Sequence, residues 1–173
     1  MPTTKKLHIV LYEPEIAQNV GAIIRTCVAV NAKLHIIEPL GFFFDERFIT
    51  RSSANYIHAS DYQLYNDWQQ FLTLNPEALL YCSTRYAKQP HSAINFADHD
   101  GPIYIMFGRE STGIPHEILH DNLERCFRIP MHPNVRSLNV ASSVGIVAYE
   151  VMRQLDYPDL SKVEIQKGAD YLK

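Results

Sequence analysis

The residues best suited to chemistry lie in three short stretches, each joining glycine or small polar groups to a single charged or amide side chain. Ser137-Leu138-Asn139 follows a Pro-punctuated run, Ile129-Pro130-Met131-His132-Pro133, and precedes apolar residues at Val140, Val144, Val147, Val151 and Leu155, the spacing of one helix face. Amide groups at a helix start lack partners, so Ser137 and Asn139 either cap that helix or hold a ligand at its mouth. Gly108-Arg109-Glu110-Ser111-Thr112-Gly113 follows an apolar stretch and leads to Pro115, so two glycines bracket a tight turn carrying the Glu110 carboxylate, which is either functional or solvated. Asn19-Val20-Gly21-Ala22-Ile23-Ile24-Arg25 opens another helical stripe. Arg25 falls off the Val20, Ile24, Val28 face and reads as exposed. A glycine there costs about 1 kcal/mol relative to alanine, which predicts close approach of another backbone or of RNA at Gly21.

A fourth pattern is His116-Glu117-Ile118-Leu119-His120, which matches HExxH, where two imidazoles one turn apart bind zinc and the glutamate acts as base. It stands alone: Pro115 starts the segment, Asp121-Asn122 ends it, and no glycine and third histidine follow at the spacing of longer zinc motifs. No metal is expected. Walker, GxSxG and GxGxxG patterns are absent from the sequence.

The elements that must position these stretches alternate. Leu7 to Tyr12 is apolar without period two and reads as a strand buried on both faces, ended by Glu13-Pro14-Glu15. A helix from Ile16 stops at Asn31, and Lys33 to Glu38 reads as the second strand. Helical segments are expected over residues 46–55 and 67–74, and a weak strand near Tyr62. Buried strands are expected over 78–83, 102–107 and 126–130, and a long helix over 139–155. This implies an α/β fold: an open, mostly parallel sheet with helices on both faces, binding ligands beyond the carboxyl ends of its strands. The ends that converge are Cys82-Ser83-Thr84, Phe107-Gly108-Arg109-Glu110 and Ile129-Pro130-Met131.

At 173 residues and 46% hydrophobic, the chain suits one core, read as a single domain over 1–156 with a polar tail over 157–173. Met1-Pro2-Thr3-Thr4-Lys5-Lys6 leads into too short an apolar run for a signal peptide, and no stretch suits a membrane span, so a cytoplasmic protein is expected. Cys27, Cys82 and Cys126 are odd in number and sit in apolar segments, as reduced buried thiols do. A net charge of -3 argues against a general nucleic-acid coat protein but leaves room for local patches around Arg47 and Arg51, Arg85 and Lys88, Arg109, and Arg125, Arg128 and Arg136.

In this order and at these strand ends, the three stretches resemble the signature motifs of the SPOUT superfamily of RNA methyltransferases, in its ribose 2'-O-methylating branch. The first motif is Asn19, Gly21 and Arg25; the second Gly108, Glu110 and Gly113; the third Ser137, Leu138, Asn139, Ala141 and Ser143. Leu11-Tyr12-Glu13-Pro14-Glu15-Ile16, His35-Ile36-Ile37-Glu38-Pro39 and Arg128-Ile129-Pro130-Met131 further resemble the minimal members that methylate the wobble nucleotide, position 34, of leucine tRNAs.

The resemblance implies a C-terminal deep trefoil knot, S-adenosyl-L-methionine as methyl donor, a homodimer whose second subunit completes the RNA site, and a tRNA anticodon stem-loop as partner. It places cofactor contacts at Cys82, Ser83, Thr84, Phe107, Gly108, Glu110, Gly113, Ile129, Met131, Ser137, Leu138 and Asn139, with backbone amides of Gly108, Ile129 and Leu138 reading the adenine edge. It assigns ribose activation to Arg25, with Asn19, Glu110, Ser137 and Asn139 orienting it. A guanidinium is a poor base at neutral pH, so a phosphate clamp suits Arg25 better than proton abstraction. Two alternatives remain: a sibling enzyme acting on another tRNA or rRNA ribose, and a noncatalytic RNA-binding protein that kept the fold.

Overall fold

The computed structural model describes residues 5–173; residues 1–4, part of the leader reading above, lie outside it. Six strands pair in the order β3-β2-β1-β5-β4-β6, all parallel: β1 (Leu7–Tyr12), β2 (Lys33–Ile37), β3 (Asp61–Tyr65), β4 (Leu80–Ser83), β5 (Ile103–Phe107) and β6 (Cys126–Phe127). The helices are α1 (Ala17–Ala29), α2 (Glu46–Ser52), α3 (Trp68–Leu74), α4 (His116–Asp121) and α5 (Val140–Gln154).

The unbroken apolar run of β1 is explained by burial on both sides. Leu7, Ile9 and Leu11 join Val20, Ile23 and Ile24 of α1, Ile49 of α2 and Val144, Val147 and Val151 of α5 in one core cluster. Val10 and Tyr12 join Phe71 of α3 and Ile118 and Leu119 of α4 in the other. Each of these large apolar side chains contributes about 1.5–3 kcal/mol by leaving water. A charge placed at Val147, which is fully buried, would disrupt the seam where α5 meets the sheet.

Several boundaries differ from expectation for local reasons. Helix α2 stops at Ser52 rather than residue 55, because Ala54 (φ 52°) and Asn55 (φ 68°) are left-handed and cannot continue it. Asp67 and Asn139 sit just outside α3 and α5 as caps, accepting from Gln70 N (2.7 Å) and Ser142 N (3.1 Å). Strand β6 is two residues long instead of five, since Arg128 exchanges backbone bonds with Gln89 and His91 and Pro130 has no donor to continue the ladder. The segment beyond Gln154, expected as a polar appendage from residue 157, packs Tyr157 and Leu160 against the α1–α5 core.

Glycine 21 meets a neighbouring helix rather than RNA: a Cβ there would collide with the Ser52 side chain and stand 2.8 Å from its carbonyl carbon. This is how α2 approaches α1 closely enough to share a core.

Candidate active site

The carboxyl ends of β1, β5, β4 and β6 face a common cleft of about 650 Å³. Three loops wall it, two of them stiffened by their own sequence and the third held from a distance. In the first, the β5–α4 turn, Arg109 N donates to Gly113 O (3.2 Å) and Gly113 N donates to Arg109 O (2.8 Å). Gly113 has φ 74°, the left-handed region glycine tolerates, and a Cβ on Gly108 would strike the backbone of Gly113 and Ile114. Both glycines are therefore required, one by conformation and one by contact. In the second, the β6–α5 loop, Asn139 caps α5 and fixes the mouth that Ser137 and Leu138 line. In the third, between β1 and α1, Ile16 at the helix start offers no side-chain cap.

That missing cap is supplied from 94 residues away. The Glu110 carboxylate accepts from Ile16 N (3.3 Å) and Glu15 N (2.8 Å), and its Oε1 also accepts from Asn19 Nδ2 (3.1 Å). Asn19 Oδ1 in turn accepts from Asn139 Nδ2 (3.0 Å). One polar chain, Glu110 to Asn19 to Asn139, thus ties the starts of α1 and α5 to the β5 turn. A carboxylate at the unpaired amides of α1 is also where the helix dipole favours negative charge. Beside it, Ser111 N and Oγ donate to Glu15 Oε1 (2.9 and 2.7 Å), and these bonds hold the Glu15 carboxyl below the usual range. Arg109 is clamped on Glu13 with its guanidinium over the Tyr12 ring, 5.0 Å from the centroid. Burial, followed by the charge of Glu13, raises the Tyr12 phenol.

Of the residues expected from sequence, Asn19, Ser83, Thr84, Phe107, Gly108, Glu110, Gly113, Ile129, Met131, Ser137, Leu138 and Asn139 all line this cleft. Two do not. The Cys82 side chain is fully buried in the α3–α4 core, because alternation along β4 points it away from the side taken by Tyr81. The neighbouring Cys126 thiol, then burial, pushes its thiol up. Arg25 is exposed on α1 and rests over the Tyr56 ring, 5.6 Å from the centroid. Six residues at about 100° each turn it some 120° away from Asn19, off the side of α1 that meets its own cleft.

The HExxH residues form α4, and His116 meets the Tyr86 ring edge-on at 6.1 Å. Among the described residues no three His, Cys, Asp or Glu side chains group as a metal site.

Comparison with known proteins decides the family. Residues 6–149 match the model of the SpoU rRNA Methylase family. The chain belongs to this family. A tRNA (cytidine(34)-2'-O)-methyltransferase of Escherichia coli strain K12 is 42% identical over 154 residues, covering 88% of this chain and 96% of that one. A solved structure described as giving insight into the 2-OH methylation of C/U34 on tRNA superposes with TM-score 0.80 at 36% identity, over 87% of this chain and 96% of the other. The AdoMet complex of AviRb from Streptomyces viridochromogenes, at 19% identity over 90% of this chain and 60% of its own, shares the fold with TM-score 0.76. As a SpoU protein this chain is an RNA ribose methyltransferase.

Sequence reading put Arg109 at a converging strand end and named Arg85, Arg128 and Arg136 as candidates for local patches, without assigning these three to the SpoU cleft, and it passed over Tyr86. Arg85, Tyr86, Arg109, Arg128 and Arg136 line that cleft, so four guanidinium groups stand around a ligand space in a chain whose net charge is -3. Their positions just after strands or before a helix were the available signal. Nothing local marked which of the chain's basic clusters would face inward.

Proposed function

We propose that the protein methylates the ribose 2'-hydroxyl of nucleotide 34 in tRNA, in leucine isoacceptors, with S-adenosyl-L-methionine as donor. The observation that carries this reading is the Glu110–Asn19–Asn139 chain, which fixes three loops around one cleft. The names of relatives at 35–42% identity supply the position in tRNA. The cleft fits the donor: its volume lies within the usual range for small-molecule sites, Phe107, Ile129 and Leu138 offer apolar wall, and Gly108 brings bare backbone to the ligand space. Ser83, Thr84, Phe107, Gly108, Ile129, Met131, Ser137 and Leu138 would hold it, with backbone at Gly108, Ile129 and Leu138 toward the adenine. Cys82 would contribute through its main chain alone. When bound, the donor supplies an electrophilic methyl group on a sulfonium.

What the chain must add is a positioned, activated oxygen nucleophile. Arg25, turned from its own cleft, serves the cleft of a second copy in a homodimer, clamping the phosphate next to the target ribose with two parallel N–H bonds. Exposed Ile146 and Tyr149 on α5, one turn apart, offer apolar surface for that partner. Residues 128–139, which carry the chain from edge strand β6 back to the centre of the sheet, belong in this reading to a trefoil knot. Body and tail divide near residue 156, with Tyr157 and Leu160 as the anchor of the tail.

The decisive experiment is methyl transfer from labelled donor to tRNA lacking the modification, with mapping of the product. Label on the ribose of nucleotide 34 of leucine tRNAs is expected; label elsewhere favours a sibling specificity, and none overturns the reading. Arg25→Ala should reduce transfer at least a hundredfold with cofactor affinity within a few-fold. Mixing it with inactive Asn139→Ala should restore up to about a quarter of wild-type activity through hybrid dimers, whereas no restoration would return Arg25 to its own cleft.

A further inference from the structure

Phe43 is 98% exposed, an arrangement that costs solvation and serves no packing in this chain. Its neighbours hold it out. Phe42 and Phe44 pack against the core, Phe44 lies 5.7 Å from the Tyr62 ring, and Gly41 N donates to Pro14 O (3.0 Å). The loop between β2 and α2 therefore displays one aromatic between two anchored ones, beside the Glu15 segment that Ser111 grips at the cleft rim.

Below Phe43, α2 turns Ile49 and Ser52 toward α1 and leaves Arg47, Phe48 and Arg51 outward, at the i, i+1, i+4 spacing of one face. The strip continues to Tyr56, on which Arg25 rests. Three arginines and three aromatics, Phe43, Arg47, Phe48, Arg51, Tyr56 and Arg25, thus alternate from the cleft rim to the residue assigned above to the target phosphate. The carboxylates nearby are engaged: Asp45 caps α2 and pairs with Arg47, whose side chain is still 92% exposed, and Glu46 accepts from Tyr62 OH. Interleaved guanidinium groups and flat rings suit single-stranded RNA, whose bases stack on aromatics while its phosphates meet arginine. A folded protein partner would match the apolar rings but not the row of positive charge between them.

We propose that Phe43, Arg47 and Arg51 form a docking strip for nucleotides flanking the methylated one, with a base stacked on Phe43 and phosphates on the two arginines. This rests on the RNA-methylation reading above and extends it to recognition of the loop. The test combines two measurements on the full chain: binding of a labelled anticodon stem-loop RNA, and methyl transfer to tRNA. Phe43→Ala should weaken stem-loop binding about tenfold and raise KM for tRNA in parallel, with cofactor affinity and melting temperature unchanged. Phe43→Trp should restore binding, and the added indole fluorescence should be quenched by the RNA. Arg47→Ala with Arg51→Ala should flatten the salt dependence of binding by about two ions.

Equal RNA binding by wild type and Phe43→Ala would overturn the strip while leaving methylation intact. A shift of Phe43→Ala from dimer to monomer in sedimentation would also overturn it, assigning the phenylalanine to a contact between copies. Weaker RNA binding by Phe43→Ala than by wild type, with no methyl transfer to tRNA by the wild type, would instead keep the strip and remove the methylation reading.

Discussion

Two polar chains cross this molecule, and the difference between them separates architecture from function. One lies inside the sheet: Asn75 Nδ2 donates to Tyr65 OH (3.1 Å), Tyr65 OH meets His35 Nδ1 (2.7 Å), His35 Nε2 meets His8 Nδ1 (2.8 Å), and His8 Nε2 meets Lys5 O (3.1 Å). Burial keeps both histidines neutral, and the Lys5 carbonyl then fixes the direction: His8 Nε2–H donates to it, His35 Nε2–H donates to His8 Nδ1, and the Tyr65 hydroxyl donates to His35 Nδ1. The other chain, Glu110 to Asn19 to Asn139, is shorter and joins three elements. The first opens on nothing. The second borders a cleft and leaves small polar groups and bare backbone facing it. Satisfied buried polar groups stabilise and specify packing; only access turns them into a site.

The contrast can be broken from either side. The largest effect is expected from Glu110→Ala, which strips two backbone amides and Asn19 of a charged acceptor. Transfer should fall about a hundredfold or more, through weaker cofactor binding seen by calorimetry, given about 1.5–3 kcal/mol for a bond to a charged group. Wild-type cofactor affinity in that variant would make the chain mere scaffolding. Tyr65→Phe leaves His35 Nδ1 without its donor in a buried site and should cost about 1–3 kcal/mol in urea unfolding, with methyl transfer unchanged.

Acid sharpens the same point. Burial above all, then His8 and Lys33, lowers His35 from 6.5 to about 3, and His8 is lowered too, chiefly by burial. Because the folded state resists a proton that the unfolded chain accepts, their stabilisation is full above about pH 6.5 and is lost as pH falls toward 3. Urea midpoints measured between pH 7 and 4 should decline, and His35→Leu should flatten that decline. The smallest effect is expected of Asn75→Ala, about 1 kcal/mol of stability, since Tyr65 keeps His35 as partner.

The strand–helix alternation, the wholly buried β1 and the α5 face were legible because burial imposes period on sequence, as the runs at Leu7–Tyr12 and Val144–Val151 do. The glycines of the β5 turn were legible as a turn. What could not be read were pairings across 91 and 120 residues, such as Glu110 with Asn19 and Asn139 with Asn19, since contact between distant side chains leaves no local trace. The orientation of Arg25 was half legible: its position off the apolar stripe predicted exposure, and only the placement of α1 beside the cleft revealed that it faces elsewhere. Phe43 stands in a run of three phenylalanines, and nothing local distinguishes the exposed ring from its two packed neighbours.

The brevity of β6 bears on handling the protein in concentrated solution. A parallel sheet ends in rows of unmated amides and carbonyls that recruit other chains, and long flat borders seed aggregates. Here one border is two residues wide, and the next residue, Arg128, already exchanges both of its main-chain bonds with residues 89 and 91. Little template remains on that side, so refolding at high concentration should lose material through the β3 border first.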